Sequence, residues 1–192
     1  MYRDGNVYEE ICKEIINIYL DYGFCEFPLD EKKVCNKMGV ALVPYSSYEK
    51  EYQKLLRKKS PNGFFVKGTS ETSPTIYYND KRESEGEIRF TIFHELKHFV
   101  YNENSDDNDK DDLADFFARY FMCPIPYLLL KGIKSFNEII SFCGVSKSAA
   151  ANVTSNLENR KSRYGDQIFD YEIPLIEQIE PILVEVHRLR WY

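Results

Sequence analysis

The sequence predicts an α+β fold in which a small antiparallel sheet leads into a pair of site-bearing helices, followed by a helical appendage. Three observations carry this reading. Two short runs rich in β-branched and aromatic residues, "FFVKG" at 64–68 and "TIYYND" at 75–80, follow the turn "SPNG" and read as paired strands. The segment "RFTIFHELKHFV" at 89–100 has the apolar periodicity of a helix. Farther on, Ser135 with Glu138 three residues later forms a capping box, and "GVS" turns into a helix with Ala149, Val153 and Leu157 on one stripe. That last pair has the outline of a helix-turn-helix.

The remaining elements follow in chain order. Val7, Ile11, Ile15 and Ile18 mark an amphipathic N-terminal helix. "FPLDEKKVCNKMGVALVPYS" reads as a short helix, a glycine stop and a strand through Val40 to Val43. "SYEKEYQKLLRKKS" is a third helix whose lysines form a solvated face. The acidic run "NENSDDNDKDD" is a loop able to cap a helix over roughly 110–122, which Pro124 and Pro126 end. A DNA-reading role for the helical pair after residue 132 is disfavoured, because its second helix has few basic residues in its middle. The tail "DYEIPLIEQIEPILVEVHRLRWY" is apolar, but Pro174 and Pro181 leave its secondary structure open. The expected division is a core over 1–131 and a helical appendage with tail over 132–192.

Composition narrows the classes. With 192 residues, 43% of them hydrophobic, the chain can bury a sizeable core. Neither a run of about 20 apolar residues nor a basic-then-apolar leader is visible, so the expected location is the cytoplasm, away from membranes. Five cysteines without a CxxC pair argue against a disulfide framework and a cysteine-zinc site, and read as reduced, mostly buried thiols. A formal charge of −6 is the wrong sign for a dedicated nucleic-acid binder.

The chemistry concentrates in "HELKH". His94 and His98 are two of only three histidines, and a helical step of four residues turns about 40° and climbs about 6 Å, so the two imidazoles project side by side and can share a metal ion. Glu95 lies near enough to that face to handle a proton from water there. Ile88, Ile92, Leu96 and Phe99 occupy another arc, so the helix is expected to pack on its back while the histidines face a cleft. Catalytic zinc takes three protein ligands and an open position. His187, in the tail, is a poor third ligand. Asp111 and Asp115, four apart on the next helix with the small Ala114 and Ala118 beside them, are better placed: one carboxylate can bind zinc while the other orients a ligating histidine. Tyr77 and Tyr78 are candidate oxyanion or substrate contacts, and the strand that carries them, if it is the sheet edge, could bind an extended substrate.

Together, "TIYYND", "RFTIFHELKH" and "DDLADFFARYFMCP" resemble the ImmA/IrrE-type metallo-endopeptidases, in which a strand leads to an RFTxxHExxH helix and a following helix reads ExxAN-x-FA before a proline. The resemblance covers roughly residues 60–160. It implies a zincin-like core with zinc held by His94, His98 and Asp111, while Ala114, Asp115, Phe117, Ala118 and Pro124 match the rest of the pattern. Lys97 stands where a small residue is usual, and Asp111 where a glutamate is usual. The implied function is a zinc-dependent endopeptidase with Glu95 as general base, cutting a specific bond in a helix-turn-helix transcriptional repressor of mobile-element, phage or stress genes. The alternative is a non-catalytic regulator that binds DNA or a partner, with a structural metal or none.

Overall fold

The structure, a computed structural model, describes residues 5–82, 84–103 and 111–189. Its helices are α1 (Gly5–Tyr22), α2 (Glu31–Lys37), α3 (Lys50–Lys59), α4 (Glu85–Val100), α5 (Asp111–Met122), α6 (Ile125–Lys131), α7 (Phe136–Cys143), α8 (Lys147–Tyr164), α9 (Ile173–Ile179) and α10 (Pro181–Leu189). The strands are β1 (Ala41–Pro44), β2 (Gly63–Val66) and β3 (Thr75–Tyr78). The class is α+β, mostly helical with one small sheet. By internal contacts the chain forms two units, Asp30–Ala118 in one and Met1–Leu29 with Arg119–Tyr192 in the other. The expected boundary at 131/132 falls inside the second of these. Of the acidic run at 102–112, expected to cap α5, residues 104–110 lie outside the described residues.

In the first unit the strand order is β1-β3-β2. β2 and β3 are antiparallel, with Gly63 opposite Tyr78 and Val66 opposite Thr75, as the sequence suggests. β1, however, pairs parallel to β3, from Ala41 opposite Thr75 to Pro44 opposite Tyr78. The sheet is therefore mixed rather than antiparallel. The chain between β1 and β3 holds α3 and β2, long enough for the crossover that parallel neighbours need. β3 is the central strand, so the edge position on which extended-substrate binding at residues 75–79 depends is not met: both flanks of β3 are already paired.

The register decides what each face carries. Gly63, Phe65, Ile76 and Tyr78 share one face, because partners in a ladder point the same way and neighbours along a strand point oppositely. α4 packs on that face, with Phe99 edge-on to Phe65 at 6.0 Å between ring centroids. At Gly63 helix and sheet approach closely. A Cβ there would sit 2.7 Å from Thr91 Cγ2 and 2.9 Å from the Tyr77 carbonyl oxygen, so only glycine fits. The opposite face carries Phe64 and Tyr77, stacked at 5.1 Å, over Tyr45 and Leu56. At its other end α4 is tied to α2, whose first residue Glu31 accepts from buried Arg89 at 3.2 Å. Asp30 caps α2 by accepting the Lys32 and Lys33 N–H groups.

The second unit is helical. Its core gathers Tyr127, Ile176 and Val184 with Phe27, Phe142 and Leu183 packed around them. Gln178 Nε2 donates to the carbonyls of Tyr19 and Phe24, fixing the end of α1 to α9. Arg160 grips the fully buried Glu172 with both Nη atoms, at 2.8 and 2.6 Å, which satisfies a carboxylate that burial alone would penalise. The Ser135/Glu138 capping box is present, α7 stops at Gly144 in the left-handed region (φ 63°), and Ser146 caps α8. Pro174 and Pro181 do not break helices here. They sit at the starts of α9 and α10, where a missing N–H costs nothing, and Pro126 does the same for α6. Among the described residues one stretch, Asp112–Lys131, is long and apolar enough by composition to cross a membrane, but it is interrupted at Pro124 and two-thirds of its 18-residue apolar window is buried inside the protein. Four of the five cysteines are buried thiols, and Cys25 is exposed.

Candidate metal centre

The helix that bears the histidines is built to start and stop where it does. Ser84 caps α4 by accepting the Glu87 N–H at 3.2 Å, and Glu85 and Glu87 place negative charge on the positive end of the helix dipole. This puts "HELKH" in the last two turns. Burial is nearly continuous around the helix there. Ile92, Phe93, Glu95, Leu96, Lys97 and His98 are all buried, so the expected split between a packed back and an open front does not hold; His94 alone of the motif is partly open, at 19% of its side chain.

Three of the candidate residues meet. The His94 and His98 rings lie 5.6 Å apart between centroids, tilted by 56°. His94 Nδ1–H donates to Asp115 Oδ1 at 2.9 Å, a bond from α4 to the following helix within the same unit. That partner assigns the proton to Nδ1 and leaves the Nε2 lone pair for another electrophile. Ala114 and Ala118, fully buried on either side of Asp115, give α5 the thin flank that this approach uses. Asp111 opens α5, but its side chain lies outside the described residues. Among the described residues no set of three His, Cys, Asp or Glu side chains converges on one point. What is described is a pair of imidazoles, one with its tautomer fixed by a carboxylate, and this donor chemistry fits zinc.

The other candidates stand farther back. Tyr77 is on the sheet face away from α4, stacked on Phe64 and near Tyr48. Tyr78 is on the α4 face but buried; burial raises its pKa, helped by the charges of Asp80 and Glu31 beside its hydroxyl. His187 lies on α10, in the other unit. Two residues escaped the sequence reading. Tyr45, whose hydroxyl donates to the Ser60 carbonyl at 3.1 Å, is pushed up to about 12 by burial and then by the charge of Glu95. Glu103 forms an ion pair with Lys97 and approaches His98 Nδ1 to 3.7 Å. Its only signal in the sequence is the dipeptide "NE" just past the helix end.

An HExxH helix backed by a small mixed sheet, with a carboxylate of the next helix on its first histidine, defines a metallopeptidase-like domain. The family model described as the IrrE N-terminal-like domain, peptidase family M78, matches residues 35–152, more than half of the chain. The chain belongs to this ImmA/IrrE family of metallopeptidases, a family that implies a metal cofactor and a protein substrate. No curated protein matches it.

Proposed function

We propose that this protein is a zinc-dependent endopeptidase in which His94, His98 and Asp111 hold the metal and Glu95 moves the protons. The observation that carries the reading is the His94 Nδ1–Asp115 contact at 2.9 Å beside a second imidazole, on the motif of a metallopeptidase family. When bound, zinc supplies Lewis-acid polarisation of a carbonyl and of water at neutral pH. The protein's own groups do the rest. Asp115 keeps the proton on His94 Nδ1 and holds the ring in place, so that Nε2 is the nitrogen that would hold the metal. Glu95 accepts the proton of the attacking water and delivers it to the amine nitrogen as the peptide bond breaks. Its burial keeps bulk water from competing for that proton. The substrate is a helix-turn-helix repressor cut at one or two bonds.

The test uses Glu95→Gln, which keeps the shape of the side chain and removes the base. It should retain zinc and fold while cleaving a co-expressed repressor from the neighbouring gene about a hundredfold more slowly, or slower still. Mass spectrometry of the products reads the cut sites. Equal cleavage by wild type and variant would point to a contaminating protease and to a regulator without catalysis.

A further inference from the structure

We infer that Glu103, set by the turn that ends α4 and clamped by Lys97, is a positioning residue for His98, doing for the second histidine what Asp115 does for the first. This rests on the zinc-site reading above.

The turn is the first observation. Tyr101 closes α4, Asn102 adopts the left-handed conformation at φ 51°, and two backbone bonds reverse the chain: Asn102 N–H to the Phe99 carbonyl at 3.1 Å and Glu103 N–H to the His98 carbonyl at 2.8 Å. This pair of bonds is a Schellman motif, with asparagine in the position that tolerates positive φ. Lys67 Nζ fastens it from outside by donating to the Asn102 carbonyl at 2.7 Å. The motif folds Glu103 back over the last turn of the helix, alongside His98.

The second observation is the lysine. Lys97 is 2% exposed, an unusual state for an ammonium group, and it is compensated by the Glu103 carboxylate and by the Tyr101 ring 5.3 Å away. The oxygen that Lys97 engages, Oε2, is the one 3.7 Å from His98 Nδ1. At that separation the contact is electrostatic rather than a hydrogen bond. A negative oxygen beside Nδ1 favours a proton there and disfavours a lone pair, so the Nε2 lone pair of His98 becomes the one available to a metal. The carboxylate stands on the Nδ1 side of the ring and so supports the ligand instead of being one. Lys97 thus has a reason to stand in a position where small residues are usual: it lets a carboxylate be kept in a buried place.

Two readouts test this, and the first, the tautomer of His98, is one that a purely structural ion pair would not move. In metal-free protein, long-range ¹H–¹⁵N spectra assigned with His98→Ala should show His98 protonated on Nδ1, and Glu103→Ala should shift it toward Nε2. Zinc affinity, measured against a chromophoric chelator, should fall about ten- to a hundredfold in Glu103→Ala and in Asn102→Val, which forbids the turn, while Asn102→Gly keeps the wild-type value. If Glu103→Ala does not fold, Glu103→Gln, of the same shape without the charge, should show the same affinity loss. An unchanged tautomer, or unchanged affinity in folded Glu103 variants, overturns the inference. A wild-type protein that takes up no zinc overturns the zinc reading instead, and the tautomer still decides the role of Glu103.

Discussion

At the scale of single residues, two aspartates four positions apart divide the labour in the proposed site. Asp115 is engaged by His94 through Nδ1, and one ring nitrogen so occupied points the other toward a metal. On the proposed reading Asp111, four positions earlier in the sequence of α5, is the third donor. Asp111→Ala is therefore expected to weaken zinc binding severely, and Asp115→Ala by about ten- to a hundredfold. Asp111→Glu should keep zinc. Metal titration of the three variants checks the order; loss of zinc in Asp115→Ala with retention in Asp111→Ala would exchange the two roles. The spacing of the histidines was visible in the sequence, because a helix turns a four-residue step into adjacency. Glu103 was not visible, because its approach to His98 depends on a left-handed asparagine and on a lysine from beyond β2. No periodicity encodes that.

At the scale of elements, what positions the site is the seating of α4 on the sheet. One close approach in that seating is Gly63 under Thr91. Gly63→Ala is expected to destabilise the protein by about 1–3 kcal/mol, since one of the two clashing atoms is a backbone carbonyl of β3 that cannot swing aside. Urea unfolding measures it. Thr91→Ala in the same chain should recover only part of the loss, whereas an unaffected midpoint in the single variant would mean that α4 does not rest there. α1, α4 and the capping box of α7 were legible because apolar spacing and capping residues act locally. The sheet was legible only in part. Its antiparallel half follows from a short connection, but a four-residue strand such as Ala41–Pro44 carries no mark of its direction, and its parallel pairing with β3 depends on a distant crossover. The prolines were legible in part: α5 ends at Met122, ahead of Pro124 and Pro126, as the sequence suggests, whereas the tail, left open by Pro174 and Pro181, is helical because each of these, like Pro126, stands in the first turn of a helix.

At the scale of the whole molecule, the histidine-bearing helix α4, its supporting sheet and Asp115 of α5 belong to one compact unit of the chain, Asp30–Ala118, and the family match begins just inside that unit. The helical unit has its own buried cluster and its own buried ion pair between Arg160 and Glu172. The central claim is the metal on the two histidines, and the metal content of the purified protein tests it most directly. Expressed with zinc available, the wild-type protein should carry about one zinc per chain, and the double variant His94→Ala, His98→Ala should carry none while keeping its helical circular dichroism. Unchanged zinc content in that variant would contradict the account.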